Sequence, residues 1–132
     1  MVSSRSTKYT QAIVAVLMEL KHATNAELLE RLHGQFPELS ATTVHRATAR
    51  MADSGTIAEA PADTQGSMRY DANVKPHDHF TCTSCGGIRD IDIVDDVLPM
   101  LTNALGDCRV TGRLLIHGSC EKCHVKLSKS QV

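Results

Sequence analysis

The chain has no tryptophan, and phenylalanine and tyrosine together make up only 3% of it. Its core must therefore be aliphatic, and a platform of stacked aromatics for single-stranded nucleic acid is excluded. Neither charge is in large excess: the formal net charge is -1. That excludes a general polyanion-binding surface, so any contact with DNA must come from a local basic patch. No apolar run approaches the ~20 residues that span a bilayer, and no membrane partner is expected. The segment from Met1 to Ser6 lacks the apolar centre of a secretion signal. The expected location is the cytoplasm, where thiols stay reduced and metal binding is favoured over disulfides. With 42% hydrophobic and 22% charged residues over 132 positions, the composition is that of a soluble globular protein of one domain or two small ones.

Against these absences stand five cysteines. Four form two Cys-x-x-Cys pairs, Cys82 with Cys85 and Cys120 with Cys123. Each pair lets one tight turn aim two thiolates at one point, and two such turns close a tetrahedral four-sulfur shell of the kind that holds structural zinc. A single pair would suit a redox site equally well; two in one short chain favour zinc. Cys108, the odd one, is expected to be a small buried apolar side chain. His77-Asp78-His79 lies just before the first pair. Strand alternation puts the two imidazoles on one face and Asp78 on the other.

The first third reads as helices. Ile13, Val14, Val16, Leu17 and Leu20 form a helical stripe within Thr10 to Leu20. Lys21-His22-Ala23 breaks it. Thr24 and Glu27 then make a capping box for a helix running to about His33, with Leu28, Leu29 and Leu32 inward. Gly34 is expected to end that helix in a left-handed conformation, and Pro37 to discourage continuation. Ser40 starts a third helix that stops at Gly55. Its Thr, His and Arg residues suit recognition better than packing. Two short strands follow, at 56–60 and 67–71, with 61–66 as the turn. Three helices and a β-hairpin make a winged helix-turn-helix. Farther on, strands are expected at 79–83, 88–93 and 113–117, with a helix over 94–105 in which Pro99 is awkward. The tail from Lys126 to Val132 is polar and is expected to be mobile.

The fold class is thus α+β. Residues 1–72 are expected to form a winged-helix DNA-binding domain, 73–76 a hinge, and 77–132 a small α/β metal-binding unit with a four-cysteine zinc site. In the third helix, Ser40, Thr42, Thr43, His45 and Arg46 are the candidate DNA contacts. Its N-terminus can hold a phosphate, and Arg46 can pair with guanine. Arg69, on the wing, is a further candidate for a phosphate or a minor groove.

Ala41-Thr42-Thr43-Val44-His45-Arg46, Ser54-Gly55, the run from His77 through Cys82 and Cys85 to Gly86, and Gly118-Ser119-Cys120-Glu121-Lys122-Cys123 resemble the ferric uptake regulator (Fur) family in order and spacing. The resemblance covers Thr10 to His124. It implies a dimeric, metal-responsive transcription factor in which the winged helix is followed by a C-terminal α/β dimerisation domain, here residues 77–132. The peroxide-responsive (PerR) branch is the most similar, and the ligand positions it implies are His22, Asp71, His77, His79 and Asp90. Iron and zinc regulators more often carry Glu at the two acidic positions. Such mixed N/O ligation suits Fe(II) or Mn(II), with Zn(II) possible. The implied logic is a clamp, in which one ion ties the DNA-binding half to the other half. The implied peroxide response is oxidation of a metal-bound histidine, with His22 and His77 the candidates. The expected partners are double-stranded DNA carrying a pseudo-palindromic operator and a second copy of the chain. Three features depart from the family pattern. His45 stands where the family has tyrosine, and Arg46 matches the iron and zinc regulators. Pro76 and Gly112 replace the histidines of a further metal site, which is not expected here.

A zinc deaminase would need His-x-Glu and Pro-Cys-x-x-Cys. The chain has His-Asp-His, and Thr81 precedes Cys82, so no catalytic residue and no enzyme activity are expected. The alternatives are a zinc- or iron-uptake repressor of the same family and, at greater distance, a zinc-ribbon adaptor that binds protein.

Overall fold

The structure is a computed structural model that describes residues 5–130, with side chains described for 8–125. The chain divides between Val74 and Lys75 into two compact units.

The first unit runs α1 (Arg5–Leu20), β1 (His22–Thr24), α2 (Asn25–Leu32), α3 (Ala41–Asp53), β2 (Ala58–Ala60) and β3 (Arg69–Asp71). The three strands form an antiparallel sheet in the order β1-β3-β2. With the α2–α3 pair and the β2–β3 wing, this is a winged helix-turn-helix. The aliphatic stripe does what its spacing requires: Ile13, Leu17, Leu28 and Val44 are all 0% exposed. Tyr9 and Phe36 close one end of this core edge to face, with ring centroids 5.1 Å apart.

Local signals set the helix ends. The Thr24 hydroxyl accepts from Glu27 N–H at 3.1 Å, and Glu27 returns its carboxylate to Thr24 N–H at 2.9 Å, completing the capping box. Ser40 caps α3 by accepting from Thr43 N–H, and Gly55, at φ 81°, ends the run beyond Ser54. Lys21 is the one non-glycine with positive φ among the described residues, at 72°. Its N–H bonds Leu17 O at 2.7 Å, and its left-handed turn sends the chain straight into β1. The expected left-handed Gly34 is not found. α2 closes on His33 in right-handed conformation, and a further turn carries Phe36 N–H to Leu32 O at 2.7 Å. That turn buries Phe36 and Leu39, and a reversal at Gly34 would lose this packing.

The second unit contains β4 (Asp78–Cys82), β5 (Ile88–Ile91), α4 (Val94–Leu105), β6 (Leu115–Gly118) and α5 (Glu121–Ser130). β4 is central, antiparallel to β5 and parallel to β6, with α4 in the crossover. Gly118 packs tightly against Phe80, since a Cβ there would lie 3.0 Å from the ring, so a larger residue would have to displace it. α4 accommodates Pro99 inside its length. The tail expected to be mobile from Lys126 is helical up to Ser130; its side chains and residues 131–132 lie outside those described. Cys108 is exposed rather than buried, since it lies in the loop after α4, away from any core. Among the described residues, Cys82 and Val94 are the only hydrophobic side chains buried in this unit. Leu98, Met100, Leu105, Leu115 and Ile116 remain substantially exposed.

Candidate metal centres and reader helix

Cys82 ends β4, and a tight turn closed by Gly86 N–H to Cys82 O at 2.9 Å brings Cys85 back beside it. Gly86 adopts φ 79° there, which suits glycine. The second pair opens α5, where His124 N–H bonds Cys120 O at 2.8 Å. The four sulfur atoms lie within 4.8 Å of one another, and Cys85 Sγ is 3.8 Å from Cys120 Sγ. A tetrahedron of Zn–S bonds of about 2.3 Å places its sulfurs about 3.8 Å apart.

The electrostatics fit the same group. Cys82 Sγ accepts backbone N–H bonds from Cys85 and Cys120, and these hold its thiol down to about 5. Cys120 is lowered as well, chiefly by the Cys123 N–H. Cys123 is pushed up to about 12 by its sulfur neighbours Cys120 and Cys82. Four adjacent thiolates repel one another, so one sulfur keeps its proton until a dication replaces it. Donor set, spacing and charge of Cys82, Cys85, Cys120 and Cys123 all fit zinc. A closed shell of four sulfurs leaves no open position for a reaction, so the site is structural.

Each unit also carries its own His–Asp arrangement, and sheet register assembles both. In the first unit His22 of β1 is the direct cross-strand partner of Asp71 of β3, and His22 Nε2 lies 3.2 Å from Asp71 Oδ2. Both side chains are buried, at 7% and 3% exposure. Asp71 Oδ1 also accepts from Asn73 N–H at 2.8 Å, which fixes the carboxylate. In the second unit His79 of β4 faces Asp90 of β5 across the ladder. The Nε2 atoms of His77 and His79 are each 3.3 Å from Asp90 Oδ1, and their rings lie 4.4 Å apart.

His77 Nδ1 sits 2.6 Å from the Lys75 carbonyl, which can only accept, so Nδ1 carries a proton. In the neutral ring the lone pair is then on Nε2, beside a carboxylate oxygen. A cation suits that pairing, and a carbonyl behind the far nitrogen is the usual support of a metal-bound histidine.

Asp78, between these histidines, is fully buried. Its carboxylate accepts N–H bonds from Ile93, Val94 and Leu114, and two contacts from the Arg113 guanidinium. Burial alone would raise its pKa. The N–H groups of Leu114, Ile93 and Val94, with Arg113, outweigh burial and hold it at about 2. The N-cap position of α4, Ile93, offers no side-chain cap. Asp78 supplies one from another element, a role that its sequence neighbourhood does not signal.

On α3, Ser40, Thr42, His45 and Arg46 are exposed, and Thr43 is half-buried with its hydroxyl 3.0 Å from Ser40 Oγ. Arg46, Thr43 and Arg50 line an open cavity of about 460 Å³ together with Tyr9, Glu38, Leu39 and Ala47. Arg50 is not among the expected contacts; its spacing of four from Arg46 is the signal that places both on one face. Arg69, the remaining candidate, is placed differently from the residues of α3. It is only 8% exposed, and its guanidinium donates to the carbonyls of Pro61 and Ala62 at 2.8 and 2.9 Å. The side chain closes the wing turn from within.

The model of the ferric uptake regulator family matches residues 2–103. The peroxide operon regulator of Bacillus subtilis (strain 168) is 30% identical over 125 residues, covering 92% of this chain and 86% of that protein. The peroxide-responsive repressor PerR of Staphylococcus saprophyticus is 31% identical over 125 residues, covering 92% and 84%. Among solved structures, the Helicobacter pylori ferric uptake regulator superposes with a TM-score of 0.73 at 18% identity, over 89% of this chain and 80% of that one. The Campylobacter jejuni peroxide stress regulator gives 0.70 at 22%, over 90% and 91%. These last two likenesses establish the fold.

Proposed function

This chain belongs to the ferric uptake regulator family, and on that footing we propose that it is a metal-dependent DNA-binding repressor of the cytoplasm, responsive to peroxide. The observation that carries the reading is the pair of His–Asp arrangements, one inside each unit, both preassembled by strand register. A single Fe(II) or Mn(II) taken up by His22 and Asp71 together with His77, His79 and Asp90 would bind one arrangement of the two halves better than any other. That difference is the source of regulation. A 100-fold preference corresponds to about 2.7 kcal/mol of bias. Iron, if held there by these five residues, would supply the chemistry for reaction with peroxide, and His22 and His77 are the rings that would take up the oxygen atom, with water as the other product. An oxidised ring is a poorer ligand.

Repression requires a reader and a partner. α3 is the reader, with Ser40, Thr42, Thr43, His45 and Arg46 as contacts and Arg50 beside them. The partner is a second copy of the chain. The exposed Leu98, Met100 and Leu105 of α4 and Leu115 and Ile116 of β6 are apolar surface that such a copy would cover at least in part. A two-fold dimer reads a pseudo-palindromic operator.

The test is DNA binding by protein purified without oxygen, loaded with Fe(II), Mn(II) or Zn(II), before and after peroxide. Binding in the iron and manganese forms is expected, with release after peroxide in the iron form alone. Activation by zinc with no peroxide effect would instead support a zinc-uptake repressor. In His77→Ala the structural zinc should remain, one per chain, while metal-activated DNA binding is lost. Loss of that zinc with it would sink the separation into two sites.

A further inference from the structure

α3 carries two arginines one turn apart, Arg46 and Arg50, on the flank that turns toward α1. There they line one open recess with Thr43 of α3, Tyr9 of α1 and Glu38 of the loop before α3. Among the described residues neither guanidinium has an ion pair or a hydrogen bond. Arg31, Arg69, Arg89 and Arg113, by contrast, are held by Glu19, by two wing carbonyls, by Glu121, and by Asp78 with Asp92. The recess also contains the Glu38 carboxylate, whose Oε2 accepts from the Tyr9 hydroxyl at 2.9 Å. Two cations against one anion leave the recess net positive. Two guanidiniums in one concave wall call for an anion, and their forked N–H donors match the oxygens of a phosphate.

We infer that Arg46 and Arg50 together clamp one backbone phosphate of double-stranded DNA in this recess. The inference rests on α3 being the reader helix. At about 100° per residue, Thr42 and Ala49 stand on the outer ridge of α3, and Arg46 and Arg50 follow on the side toward Tyr9. A helix seated in the major groove turns its ridge to base edges and its flanks to the phosphate backbones. The clamp therefore fixes the depth and orientation of α3 and carries no sequence information. It also moves Arg46 from guanine to the backbone.

The experiment uses the full chain loaded with zinc and Mn(II), and a duplex that it selects from a random pool. Arg46→Ala and Arg50→Ala should each weaken binding roughly tenfold at low salt, the lower end for a charge-assisted hydrogen bond, because both guanidiniums stay solvated. In the double variant the slope of log affinity against log salt should fall by about 0.9 per chain, the count for one phosphate. A fall of about 1.8 means two separate phosphates and overturns the shared clamp. Glu38→Gln removes the opposing charge and should tighten binding; weaker binding at an unchanged melting point overturns the clamp. Backbone phosphates are then replaced one at a time by neutral methylphosphonate. One position in each half-site should weaken the wild type and leave the double variant unaffected. No such position overturns the clamp and leaves the repressor reading standing. A wild type that binds no duplex with Fe(II), Mn(II) or Zn(II) overturns both. Inorganic phosphate, titrated into DNA-free protein and followed by NMR of the two guanidinium Nε–H signals, separates the sources. Saturation at micromolar phosphate means a site for the free ion and overturns the assignment to DNA; no saturation below millimolar is expected.

Discussion

Asp78 shows how far a single side chain can act when it is buried with all its partners. One carboxylate gathers the N–H groups at the start of α4, the entry to β6 and the Arg113 guanidinium. Arg113 in turn reaches Asp92 at 2.6 Å. The folded pKa of about 2 lies below the ordinary 3.8, so the charge contributes stability above about pH 4. That contribution is lost as pH falls from about 4 toward 2. Asp78→Asn should therefore melt well below the wild type at pH 5, and the gap should close toward pH 2. A melting-temperature series across that range checks it; a gap independent of pH would mean that the charge is irrelevant. Alternation along His77-Asp78-His79 already indicated that Asp78 faces away from the imidazoles. What it faces was not readable, because its partners come from two separate stretches of chain, residues 93–94 and 113–114.

Among the elements, the helices were the most legible. Caps and apolar spacing are local, and Thr24, Glu27, Ser40 and Gly55 mark their ends within one turn. Thr24→Ala removes the acceptor for Glu27 N–H. It should destabilise the first unit by about 1 kcal/mol, read from urea unfolding midpoints. No change would mean that another group caps α2. The strand β1 was not legible. Three residues carry no period of their own, and their hydrogen bonds go to β3, far along the chain. α5 was missed for a related reason. Its first turn is the second zinc knuckle, and a Cys-x-x-Cys pair reads as a turn whether or not a helix continues from it. Gly34 misled because an available left-handed glycine does not compel a reversal when Phe36 gains burial by continuing the turn.

As a whole molecule, the protein divides its stability unevenly. The first unit has a continuous aliphatic core, while the described residues of the second bury little apolar surface, so on the proposed reading zinc and a second copy of the chain would add to its stability. Stripping zinc with a strong chelator should therefore lower the melting point of the second unit and release monomers, with the first unit still folded; sedimentation and hydrogen exchange report the two effects. Leu115→Asp should give monomers with zinc retained, since the residue is 46% exposed and sits on the edge strand β6. A Leu115→Asp dimer of unchanged affinity would place the interface elsewhere. By itself the sequence determined everything written in short-range spacing: the thiolate pairs, the capped helices, the wing, and the family to which they point. Only the tertiary structure decided which acid faces which imidazole, that Arg69 turns inward, and what Asp78 holds together. Those outcomes depend on strand register and on buried partners distant in the chain, and no local pattern of residues encodes either.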